Sequence, residues 1–170
     1  MVLEPPNGQS RVVNDKNLHT ILEWKIRSIP VSEEDPLPGE MITEESKTLE
    51  LFKLALLVYL ERVSGSSPGQ SEQMRSRLNR AFAIFSKIKT CQRHFPLVII
   101  GCEATTDHDR IVVLDLISRT EKDSYVRSLQ NMKAIIQSLW AQDDLSEGGL
   151  GYKDKIKTVL SSSEILPSFI

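Results

Sequence analysis

Four side chains stand near enough in sequence to suggest a metal site: Cys91, His94, Cys102 and His108. Their gaps are two, seven and five intervening residues, and thiolate with imidazole is a donor set that suits zinc. The spacing matches no standard finger, however, and Cys102 lies inside an apolar run over residues 95–102, where a buried free thiol is commonplace. We expect no bound metal. Glu103 follows that run directly and is the carboxylate most open to chemistry; with His108 it could serve a hydrolytic or metal-dependent reaction. The simpler expectation is that Glu103 pairs with Arg110 or with a helix N-terminus. Nucleophilic catalysis needs a Ser or Cys beside a base; residues 65–69 do spell Gly-x-Ser-x-Gly, but they fall in the break after an apolar helix and not at the strand-to-helix turn that makes an elbow. Gly148-Gly149-Leu150-Gly151 lacks the Lys-Ser or Lys-Thr of a phosphate loop. No nucleophile, base and orienting group can be assembled, so we expect no catalytic, cofactor-binding or metal-binding residues.

The elements that carry these residues belong to a chain of 170 residues, enough for one domain with a loose arm. Its 40% hydrophobic and 26% charged residues are ordinary for a globular protein. A formal net charge of −2 argues against this chain gripping nucleic acid alone, because neutralising phosphates calls for a basic surface. Two cysteines make no disulfide framework, which favours a reducing compartment. The first residues lack a basic, then apolar, signal pattern. The uncharged apolar runs at residues 54–60 and 95–102 are both too short to span a membrane.

Taken in order, residues 1–13 read as an arm, and Asn14 or Asp15 as the cap of a helix with Leu18, Ile21, Leu22, Ile26 and Ile29 as its apolar positions. Pro30 stops that helix, and residues 32–40 form an acidic, Pro-rich linker. We therefore divide the chain into residues 1–40 and a helical domain over 41–170. Thr43 caps a helix that is apolar on nearly all sides over 49–63, the pattern of a central helix. After a break at 64–70, Ser71 caps a helix with the stripe Met74, Leu78, Ala81, Phe82, Phe85 and Ile88. Arg75, Arg77, Arg80, Lys87 and Lys89 read as its solvated face. Residues 97–100 and 111–114 are rich in β-branched types and by propensity alone could form a hairpin. Their helical neighbours, and a cap at Thr106 or Asp107, favour helix for both. A long amphipathic helix follows, with Val126, Leu129, Met132, Ile136, Leu139 and Trp140 on one side, ending at Asp143 and Asp144. Beyond the glycine loop, a short helix would present Ile156, Val159 and Leu160, and residues 165–170 are apolar enough to dock on the body.

Phe95-Pro96-Leu97, Gly101-Cys102-Glu103-Ala104 and Asp109-Arg110, with the apolar helix at 54–60, the helix ending at Trp140 and the Asp143-Asp144 after it, resemble the fungal-specific transcription factor domain. That is the helical regulatory region found beyond the six-cysteine zinc cluster of many fungal activators. The resemblance covers residues 49–144. Phe95 and Tyr152 stand where the family often has Trp, and the six clustered cysteines are absent. It implies an all-α fold of about six or seven helices in an irregular bundle, with Phe95, Pro96, Gly101, Cys102, Glu103, Arg110 and Trp140 as a structural signature. It also implies a nuclear, non-catalytic regulator, a fragment or truncated relative, that works through protein partners or a homodimer and does not itself bind DNA. The alternative it allows is a receptor with a pocket for a lipophilic effector beside the helix at 49–63.

Overall fold

The computed structural model describes residues 8–30 (side chains from Asn17 onward), 43–64, 72–123 and 127–145, with Asp154 and Lys157. Ile156, Val159 and Leu160 of the expected last helix, the apolar tail, the acidic linker, the glycine loop, Ser71, Val126 and Tyr152 lie outside these residues. Six helices and no strand occur among the described residues: α1 (Gly8–Arg27), α2 (Glu44–Val63), α3 (Glu72–Lys87), α4 (His94–Gly101), α5 (Asp107–Asp123) and α6 (Arg127–Leu145). The fold is all-α. Among the described residues no helix is long and apolar enough to cross a membrane.

α1 begins at Gly8, so Asn14 and Asp15 are interior positions and not its cap. No Gly or Pro stands between Gln9 and Asn14, and an interior Asn costs a helix only a few tenths of a kcal/mol, about 0.5, against Ala. Its far end behaves as expected. The Ser28 amide and hydroxyl both bond to the Trp24 carbonyl, at 2.9 and 2.8 Å, just ahead of Pro30.

The helix with apolar residues all round is central: α2 packs against α1, α3 and α4. Thr43 caps it, its hydroxyl accepting from the Ser46 amide at 3.2 Å, and Glu44 and Glu45 lie at the positive end of the helix dipole. The whole stripe expected for α3 is buried, with Ile84 added to it. Two of the cations on its other face join α3 to the body. Arg77 bonds Glu61 of α2 at 2.7 Å and Glu23 of α1 at 3.0 Å, and Arg80 pairs with Glu50 of α2. Burial pushes the Glu23 carboxyl up, but hydrogen bonds and charge from Arg27 and Arg77 outweigh this and hold it below the ordinary range.

α4 is the short apolar run, and it is a helix. Pro96 sits in its first turn, where no amide partner within the helix is needed, and residues 96–101 are all buried. Strand propensity in Val98, Ile99 and Ile100 is overridden because α2, α3, α5 and α6 all touch this segment, which leaves no room for a sheet partner. Thr106 caps α5: its hydroxyl accepts from the Asp109 amide at 3.2 Å and donates to the Asp109 carboxylate at 2.7 Å. α5 in turn secures the end of α3, because the Arg119 guanidinium bonds the carbonyls of Phe85 and Ile88. One core runs through the bundle, with Ala55, Val58, Phe85, Ile100, Leu116 and Ile136 among its least accessible members.

Candidate functional site

Most of the residues that the resemblance marks gather where α4 ends. The chain leaves the helix through tightening turns, with the amides of Cys102, Glu103 and Ala104 donating to Val98, Ile100 and Gly101 at 2.9, 3.0 and 3.2 Å. Gly101 faces α6 so closely that a Cβ there would lie 3.0 Å from Ile136 Cδ1. Its carbonyl accepts from Trp140 Nε1 at 2.9 Å, which ties α4 to α6 and satisfies a buried acceptor.

Glu103 is buried, 7% exposed, and turns toward α2. There Arg62 Nε donates to Oε1 at 2.9 Å while Nη2 donates to Oε2, the two-pronged geometry that suits a planar guanidinium. The expected pairing with Arg110 does not form. Arg110 instead points to α6, donating to both oxygens of Asp144 at 2.8 and 2.7 Å and to the Ala104 carbonyl at 3.3 Å. Its guanidinium carbon lies 5.4 Å from the centre of the Trp140 ring, a cation–π contact. The Asp144 hydrogen bond raises Arg110 above its ordinary value, and the same bond holds the Asp144 carboxyl below its own.

Phe95 opens α4 with its ring stacked on Phe52 at 6.3 Å and meeting the edge of Tyr59 at 6.1 Å, both on α2. Phe95, Gly101, Glu103, Arg110 and Trp140 therefore join α4 to α2 on one side and to α6, with α5, on the other. Arg62 and Asp144 complete the junction. Arg62 was not singled out in the sequence; a cation in the last turn of an apolar helix is a weak signal, with a common explanation in the helix dipole.

The candidate chemical residues are spread apart in role. Cys91 is buried, and its amide donates to the Thr120 hydroxyl at 2.9 Å. Burial pushes its thiol up to about 11, although a hydrogen bond with the Arg93 backbone opposes this, so the reactive thiolate is scarce at neutral pH. Cys102 is half-buried. His94 lies 3.5 Å from the Ser128 hydroxyl, and His108 is exposed in the first turn of α5. Among the described residues no group of three His, Cys, Asp or Glu side chains is placed to hold a metal ion. An open cleft of about 670 Å³ lies between α1, α2 and α3; its walls include Arg27, Lys53, Arg77, Arg80, Glu50 and Glu72.

Residues 14–162 match the profile of the fungal specific transcription factor domain, and the chain belongs to that family. A relative, the "Transcription factor iacI" of Pestalotiopsis fici, is 38% identical over 167 residues, which cover 97% of this chain and 42% of that protein. The chain thus spans less than half the length of this relative. No solved structure matches it.

Proposed function

We propose that this chain is a non-catalytic regulatory module of a fungal transcription regulator of the zinc-cluster kind, acting in the nucleus through protein contacts. The observation that carries the reading is the family match over 14–162. The use of the signature side chains supports it: Glu103, Arg110 and Trp140 spend their polar groups on joining helices, which leaves none of the three poised over a cavity for chemistry. Sequence-specific reading of DNA is left to other protein, in keeping with the net charge of −2 and the lack of a cysteine cluster. A lipophilic effector gains no support from the α1–α2–α3 cleft, which is open to solvent and sets charged side chains around Leu54 and Leu57.

The test is a fusion of the chain to an unrelated DNA-binding domain, read by a reporter gene in a fungal host. The fusion is expected to change reporter output relative to the DNA-binding domain alone. Unaltered output from a folded, nuclear fusion contradicts the proposal.

A further inference from the structure

We propose that the hollow between the end of α3 and the end of α5 docks a phosphorylated segment of a partner protein, with the Lys87, Lys89 and Lys122 ammonium groups receiving its phosphoryl group. This open hollow of about 430 Å³ is walled by Lys87, Lys89, Thr90, Arg119, Lys122 and Asp123. Four cations thus stand round one hollow with a single acid, in a chain whose formal net charge is −2. Lys87, Lys89 and Lys122 are exposed, and their ammonium groups make no ion pair or hydrogen bond among the described residues. Arg62, Arg77, Arg80 and Arg110, by contrast, are all bonded to acids. The nearest printed acid contact is to the Lys89 backbone: its amide meets the Glu44 carboxylate at 3.4 Å, and the other Glu44 oxygen is held by Lys47.

The backbone that carries these lysines is fixed. Arg119 donates to the Phe85 carbonyl at 3.0 Å and to the Ile88 carbonyl, so a cation covers the negative end of the α3 dipole, which would otherwise repel an anion. On the far side of Thr90, the Cys91 amide donates to the Thr120 hydroxyl at 2.9 Å. α5 therefore pins the segment on both sides of Lys89 and Thr90, and Lys122 comes from α5 itself. The half-buried Thr90 hydroxyl makes no hydrogen bond among the described residues and adds a neutral donor. Ammonium groups are compact point charges with three donors each, suited to phosphoryl oxygens met from several sides. The guanidinium fork that selects a planar carboxylate is already spent, because Arg119 also bonds Asp115 at 2.9 Å. Charge must also be concentrated to use one hollow. A phosphorylated Ser or Thr brings about −1.5 to −2 on a single group, whereas the carboxylates of an acidic peptide are strung along its backbone. A DNA duplex needs a continuous basic stripe, and Asp123 beside Lys122 interrupts one here. The site rests on the reading of this chain as a module for protein contacts and names the chemistry of one such partner.

The test titrates the full chain into a fluorescein-labelled peptide bearing one phosphoserine among glutamates and alanines, read by fluorescence anisotropy. Circular dichroism checks that each variant keeps its melting point. The parent is expected to bind this peptide, less tightly as salt rises, and to bind the peptide with plain serine about tenfold more weakly. Lys87→Gln, Lys89→Gln and Lys122→Gln together cost about tenfold. Removing three exposed cations elsewhere, with Lys25→Gln, Arg75→Gln and Arg127→Gln, leaves affinity within about twofold. A chain that ignores the phosphopeptide, binds both peptides alike, or is indifferent to loss of the three lysines overturns the site. So does an equal loss on removing the distant cations, which reduces the effect to net charge. Inorganic pyrophosphate or a short DNA duplex bound more tightly than the phosphopeptide overturns the protein partner and assigns the hollow to a small phosphate or to nucleic acid. The reporter test stands apart: a fusion that regulates in a chain blind to the phosphopeptide sinks this site alone, and phosphopeptide binding without regulatory output sinks the functional reading alone.

Discussion

Glu103 shows how much of a side chain's meaning depends on its partner. In sequence it is a carboxylate after an apolar run, next to a good helix start and seven residues before an arginine. In the fold it is one half of an ion pair whose other half, Arg62, lies 41 positions away on α2. No local rule connects the two; only the packing of α4 on α2 does. Removing one partner strands the other, so Glu103→Gln is expected to lower stability to urea by about 3 kcal/mol. That is the lower end for buried pairs, because the Arg62 side chain remains 22% exposed. Cys91 gives a second prediction at this scale. Its thiol is raised in the folded state, from 9.0 to about 11, so the unfolded chain ionises first as the pH climbs. The stabilisation is complete below pH 9.0 and is lost as the pH rises toward about 11. Urea midpoints measured across that window should fall less steeply for Cys91→Ser than for the parent.

At the scale of elements, periodicity carried most of the information. The stripes of α3 and α6 translate directly into burial, because a helix face that repeats over several turns has few other uses, whereas α2, apolar nearly all round, buries Leu51, Leu54, Ala55, Leu57 and Val58 but leaves Leu49, Tyr59 and Val63 exposed. Two elements were less legible, for different reasons. α4 has only eight residues and no polar face, so it shows no period, and its β-branched run argues locally for a strand. Its helical state comes from being enclosed. α1 starts earlier than its apparent cap because nothing in the preceding residues breaks a helix, and a capping residue in the interior is only a mild penalty. The tight contact of α4 with α6 predicts the effect of Gly101→Ala. The new methyl meets Ile136 Cδ1 at 3.0 Å in the core, so stability should drop by about 1 kcal/mol, overpacking outweighing the gain in helix propensity. Ile136→Val, which removes that atom, should recover most of the loss in the double variant. A Gly101→Ala chain as stable as the parent would mean that α4 and α6 can move apart at little cost.

For the whole molecule, Glu103, Arg110 and Trp140, which the resemblance singles out, act as fastenings. Arg62 with Glu103 joins α2 to the end of α4, Trp140 holds the Gly101 carbonyl, and Arg110 with Asp144 joins α5 to the end of α6. The all-α class and the family were legible from short motifs. The assignment of each signature residue to its partner was not, since every one of these bonds links residues at least 34 positions apart. A fastening and an active site differ in one testable respect: only the former can be rebuilt from different atoms. Replacing both members of a buried ion pair by apolar residues of similar shape often preserves stability. The decisive measurement is therefore the reporter output of the DNA-binding fusion carrying Arg62→Met together with Glu103→Leu, compared with the parent fusion at equal protein level. If the junction is structural, the double variant regulates as the parent does. If Glu103 itself performs chemistry or contacts an effector, output is lost although the domain melts at the parent's temperature.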